Sequence, residues 1–97
     1  MNSKSELGKI RAIIGDCLRE TNARVYLFGS WARGEARSGS DVDIAVDIAP
    51  DHAAKVGQLR ECLEDSNVIY NCDIVNLSDS GSAVRTNVLK EGVEWKY

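Results

Sequence analysis

The chain has 97 residues, 43% hydrophobic and 28% charged, and its 15 acidic against 12 basic side chains leave a formal charge of −3. This is the composition of an ordinary globule; it excludes collagen-like repeats, coiled coil and wholesale disorder, and no apolar run approaches the ~20 residues of a membrane helix. The acidic balance also speaks against direct nucleic-acid binding, which draws on clustered Lys and Arg.

At this length one domain over residues 1–97 is expected, with a single modest core. Met1-Asn2-Ser3-Lys4-Ser5-Glu6 lacks the charged and then apolar order of a signal peptide, so a cytoplasmic protein is expected. Without secretion the sequon Asn76-Leu77-Ser78 carries no meaning. Cys17, Cys62 and Cys72 show no Cys-x-x-Cys spacing and His52 is the only histidine. They are expected to be buried free thiols rather than a zinc site.

Ser3-x-x-Glu6 has the form of a capping box, and Leu7, Ile10, Ile14, Cys17 and Leu18 follow at helical spacing, predicting a first helix to about Glu20. Arg24 to Phe28 is a compact β-branched and aromatic run that stops at Gly29-Ser30, and it reads as a buried strand. A short helix is predicted over Trp31 to Glu35. Asp41 to Ile48 then alternates: Val42, Ile44, Val46 and Ile48 on one face, Asp41, Asp43, Ala45 and Asp47 on the other. After Pro50, a helix with Asp51 as its N-cap is predicted to about Asp65. Tyr70 to Leu77 reads as a third strand, Ser78 to Ser82 as a loop, and Val84, Val88 and Leu89 as a last helix ended by Gly92. Val93 to Tyr97 is expected as a short extended tail, with Trp95 and Tyr97 closing the core or an interface. The fold class is α/β (α+β): a small mixed sheet of about three strands flanked by helices.

The chemistry concentrates between Gly29 and Asp73. On a strand, residues i and i+2 point the same way, so Asp41 and Asp43 present two carboxylates side by side, a repulsion that a cation relieves. Asp73, at the start of the third strand, is placed to bring a third to the same edge. Oxygen donors without histidine or thiolate select a hard cation such as Mg²⁺, commonly shared between carboxylates and substrate phosphates. Gly29 allows close backbone approach, Ser30 offers a hydroxyl and an N–H, and Arg33 and Arg37 add positive charge. These are the parts of a phosphate cradle.

Gly29-Ser30, then the ten residues Trp31 to Ser40, then Asp41-Val42-Asp43 resembles the signature of the nucleotidyltransferase superfamily of DNA polymerase beta. The run from Gly29 to Ile44 is similar to its minimal nucleotidyltransferase (MNT) branch, Cys72-Asp73-Ile74-Val75 matches the position of the third carboxylate, and Leu89-Lys90-Glu91-Gly92 with Tyr97 is similar to the branch's ending. The resemblance implies the polymerase-beta-like fold. Asp41, Asp43 and Asp73 would be the catalytic residues and the ligands of two Mg²⁺ ions. Gly29, Ser30, Arg33, Arg37 and Ser40 would bind the nucleotide, with ATP as substrate. It further implies a partner, a small helical HEPN-type ribonuclease toxin silenced by AMP transfer to a tyrosine hydroxyl within a hetero-oligomer. Two other readings stay open: a non-catalytic binding module, and transfer to a small molecule or RNA with an acceptor domain on another chain.

Overall fold

The computed structural model describes residues 3–37, 40–66, 68–79 and 81–95. Helix α1 spans Ser3–Cys17. It buries Ile10 and Ile14 completely, and Leu18 just past its end nearly so, the apolar stripe that the spacing predicts. It stops short of Glu20, because Glu20 (φ 71°) and Asn22 (φ 56°) adopt left-handed conformations. The Thr21 hydroxyl donates to the Leu18 carbonyl at 2.7 Å and seals the turn. Glu6 accepts from the Ile69 N–H at 3.0 Å and pairs with Lys9 at 2.8 Å; the Ser3 side chain, the other half of the expected capping box, lies outside the described residues.

Strand β1 (Arg24–Phe28) leads into the short helix α2 (Ser30–Arg33), and strand β2 is Val42–Asp47. A 3-10 turn at Pro50–His52 precedes helix α3 (Ala54–Glu64). Asp51 is therefore not the cap of that helix; Ala53 occupies the position and makes no side-chain cap bond. Pro50 fixes a tight turn that takes Asp51 into itself. Strand β3 (Cys72–Asn76) is followed by a 3-10 turn at Leu77–Asp79, helix α4 (Ser82–Glu91) and strand β4 (Val93–Trp95).

The sheet order is β3-β2-β1-β4, with β1 antiparallel to β2 and to β4 and with β2 parallel to β3. A parallel pair needs a crossover, and α3 supplies it. Among the described residues the sheet thus has four strands rather than three. The expected tail pairs with β1, Val25 opposite Trp95 and Leu27 opposite Val93. Trp95 holds it there, buried in the main core with the Arg11 guanidinium 5.6 Å from its ring centroid. Gly92 ends α4 as expected, its N–H bonding the Val88 carbonyl at 2.7 Å; a Cβ there would collide with that same carbonyl oxygen. Tyr97 lies outside the described residues.

Both faces of the sheet are used. Val25, Leu27, Val42, Ile44, Val46 and Ile74 pack against α1 and α3 in the main core. On the other face Ala45, Leu77 and Val88 form a smaller buried cluster, with Tyr26 and Phe28 against it. That face begins polar at Asp43 and becomes apolar one pleat later, where α4 covers it. Cys17 and Cys72 are half-buried and Cys62 is exposed, so the three thiols are free without being uniformly buried. Among the described residues no helix is long and apolar enough to cross a membrane.

Candidate active site

The site is built where β1 ends. Gly29 takes φ 74° and ψ −152°, a region open essentially to glycine alone. This kink lets the Gly29 carbonyl accept from the N–H groups of Ala32 and Arg33, both at 3.1 Å, starting α2 directly off the strand. The Ser30 carbonyl then accepts from the Glu35 N–H at 2.9 Å, and Gly34 (φ 73°) ends the helix. The helix expected over 31–35 is thus observed at Ser30–Arg33, starting one residue earlier and ending two earlier.

The registers of β2 bring the carboxylates to this corner. Phe28, just before Gly29, sits opposite Asp43, and Asp43 sits beside Asp73 on the parallel strand. Neighbouring strands lie ~4.8 Å apart and partners in register project to one side, so Asp43 and Asp73 share an edge. A Cβ placed on Gly29 would run into the Asp43 carboxylate. Asp41 lies two residues before Asp43, outside the strand, and both Asp41 and Asp73 are exposed while Asp43 is half-buried. Burial first, and then the negative charges of Asp73 and Asp41, push the Asp43 carboxyl above the ordinary carboxylate range, against the opposing pull of Arg33.

That raised proton affinity marks a place where positive charge is wanted. Among the described residues no three His, Cys, Asp or Glu side chains close around one point, so the chain offers an open set of oxygens. Such a set fits Mg²⁺, which binds through one or two carboxylates and completes its shell with water and substrate phosphates. Asp43 with Asp73, and Asp41 from the adjoining loop, are the residues that would hold it.

The basic residues are placed less uniformly. Arg33 pairs with Glu35 at 2.8 Å and approaches Glu91 of α4 at 3.6 Å, and these partners, Glu35 foremost, raise its pKa further. It is restrained near Asp43. Arg37 is exposed. Its N–H donates to the Ser40 hydroxyl, and the Ser40 N–H donates back to the Arg37 carbonyl, both at 2.9 Å, so Ser40 folds the loop before Asp41. Three further residues frame the site without having been assigned to it by spacing. Glu91 tethers Arg33. Trp31 lies 4.9 Å from Tyr70 between ring centroids, and its indole N–H donates to the Ser40 carbonyl at 3.4 Å. These are contacts between distant segments, invisible to local pattern.

The carboxylates front an open surface. A cavity of about 620 Å³ along α1, near Arg11 and Arg19, shares no residue with them. A cavity of about 350 Å³ beside β3, lined by Arg60, Tyr70 and Asn71, reaches Asp73.

A family model described as polymerase beta nucleotidyltransferase matches residues 16–94, which include the three carboxylates and the segment from Gly29 to Ser40. The chain belongs to that nucleotidyltransferase family. No curated protein matches it. Solved structures do. One described as a minimal nucleotidyltransferase is 30% identical to this nucleotidyltransferase, with TM-score 0.65, over 96% of this chain and 95% of that one. A chain of the toxin–antitoxin MntA-HpeT, in mutant form, is 28% identical with TM-score 0.71, over 93% of this chain and 71% of that one. A toxin–antitoxin solved with AMP-PNP is similar at 25% identity and TM-score 0.65, over 93% and 73%.

Proposed function

We propose that this nucleotidyltransferase transfers AMP from ATP to a hydroxyl, with Mg²⁺, and that the acceptor is a tyrosine of a HEPN-type toxin which it thereby silences. The observation that carries the proposal is the in-register pairing of Asp43 with Asp73 beside Gly29-Ser30. Carboxylates held together at a cost in repulsion, beside the backbone kink at Gly29, suit a triphosphate with its cation. The similar toxin–antitoxin solved with AMP-PNP supports both an adenosine triphosphate and a protein partner.

In this account Gly29 and Ser30 hold the terminal phosphates, and Ser40 shapes the loop that carries Asp41. Arg33 and Arg37 balance charge on the pyrophosphate side. The acceptor oxygen forms a bond to the α-phosphorus in line with the departing pyrophosphate, and the hydroxyl proton passes to Asp73 or to solvent. Bound Mg²⁺ supplies charge neutralisation at the attacking and leaving oxygens. The chain's own part is to fix positions and to supply oxygen ligands, which is most of what phosphoryl-type transfer asks of a protein. The net charge of −3 favours docking on a basic ribonuclease surface.

The test is to incubate the chain with a HEPN-type protein encoded beside it, ATP and Mg²⁺, and to read the partner's intact mass and its ribonuclease activity. A mass gain of one or more AMP units with loss of ribonuclease activity supports the proposal. Silencing without any mass gain would instead support a binding module, and AMP on a small molecule or RNA would move the acceptor.

A further inference from the structure

We propose that Trp31 is a positioning residue that fixes Asp41 relative to Asp43 and Asp73; this rests on the nucleotidyltransferase reading above. The sheet places Asp43 and Asp73, because both lie inside the parallel register. It does not place Asp41, which precedes β2 and is exposed. Something else must hold it against the repulsion of the other two carboxylates.

Local bonds between Ser40 and Arg37 fold the loop before it, and two contacts to other segments flank it. After Asp41, the Val42 N–H donates to the Asn71 carbonyl at 2.8 Å. Before it, the Ser40 carbonyl accepts from the Trp31 indole N–H at 3.4 Å. The same indole packs on Tyr70, the neighbour of Asn71, at 4.9 Å and a tilt of 56°. One side chain therefore bridges the loop that delivers Asp41 and the segment that enters β3 towards Asp73. Its own position is set by the Gly29 kink, since Trp31 is the second residue of α2. A half-buried indole N–H seeks a partner, and this one finds it in the carbonyl of the residue before the aspartate.

The test uses the full chain with Trp31→Phe, which keeps a ring against Tyr70 and removes the N–H, and Trp31→Ala, which removes both. Two readouts are needed. In the metal-free chain, amide exchange over residues 40–43 is expected to quicken in Trp31→Phe while α1 and α3 keep their protection. In calorimetric binding of an ATP analogue with a methylene between its α- and β-phosphates, the Mg²⁺ needed for half-saturation is expected to rise about tenfold, as when an outer-shell partner of a metal ligand is lost. Trp31→Ala is expected to show a larger shift; if it does not fold, the Phe variant decides. Exchange and Mg²⁺ dependence in Trp31→Phe both equal to those of the wild type would overturn the inference. A wild-type chain that binds no Mg²⁺-nucleotide would overturn the nucleotidyltransferase reading instead.

Discussion

The carboxylate of Asp43 stands where a side chain on Gly29 would have to go. The two residues lie fourteen positions apart and meet because Phe28 and Asp43 are register partners across β1 and β2. The glycine of the first motif is thus demanded twice, once by its own backbone conformation and once by the aspartate of the second motif.

Gly29→Ala is accordingly expected to cost about 1–3 kcal/mol from the backbone conformation alone, with a further loss from the clash. Urea unfolding measures the total. In an Asp43→Ala background the contacts with the carboxylate are gone and only the tight one with the Cβ stays, so the penalty of Gly29→Ala should shrink, a coupling that a double-mutant cycle reads directly. Equal penalties in both backgrounds would mean the two residues do not press on each other.

Most of the fold was legible because period-two and helical spacing are local signals. β2 announced itself through Val42, Ile44 and Val46, and α1 through Ile10, Ile14 and Leu18. What escaped was decided by distant partners. β4 is only Val93–Trp95, too short for a period, and exists because β1 offers an edge and Trp95 a burial site. Ala45 looked like part of a polar face but is fully buried by Leu77 and Val88 from beyond β3. Glu6 answers Ile69, sixty-three residues away, as well as Lys9 of its own helix. At the site, the carboxylates were legible as residue types at a spacing, whereas Glu91 against Arg33 and Tyr70 against Trp31 required the folded chain.

The pH dependence of stability carries two opposite signatures. Asp43 has a folded pKa raised above its ordinary value of 3.8. The folded state therefore holds its proton more tightly, and stability from this group falls as pH rises through that window and then levels off. Glu6 is the reverse. Its pKa is lowered from 4.5, first by the Lys9 ammonium and then by the Ile69 N–H, so its contribution is present above 4.5 and is lost as pH falls through the folded value. Asp43→Asn should consequently be more stable than the wild type at pH 7, with a gap that closes below about 3.8. Millimolar Mg²⁺ should raise the thermal midpoint of the wild type at pH 7 and leave that of Asp43→Asn where it was.

The thiols should separate by reactivity. Burial, with Asp41 adding negative charge, raises the Cys72 thiol to about 11, and burial raises Cys17 as well, with the neighbouring Cys62 adding to it. Because the thiolate is the reacting species, alkylation at pH 8 is expected at exposed Cys62 first and at Cys72 last. Peptide mass mapping over time checks the order; early labelling of Cys72 would contradict its burial.

The fourth strand can be tested through its anchor. Trp95 is 9% exposed and packed in the main core, so Trp95→Ala should cost about 3–5 kcal/mol. Leu77→Ala, in the smaller cluster, should cost about 2–5 kcal/mol and loosen α4, seen as faster amide exchange over 82–91. A negligible cost at Trp95 would mean that β4 is a tail after all.

The central claim is that the carboxylate pair at the β2–β3 edge performs nucleotidyl transfer. The most direct measurement follows label from ATP carrying it on either the α- or the γ-phosphate, with Mg²⁺ and the partner protein, for the wild type and Asp43→Asn. Label on the partner from α-labelled ATP alone, reduced at least about a hundredfold in the variant, is the expected result, since loss of a ligand should exceed the 10–100-fold typical of an outer-shell loss. Transfer from γ-labelled ATP, equal labelling by Asp43→Asn, or no label on any protein, RNA or small product with any of the four nucleotides would contradict it.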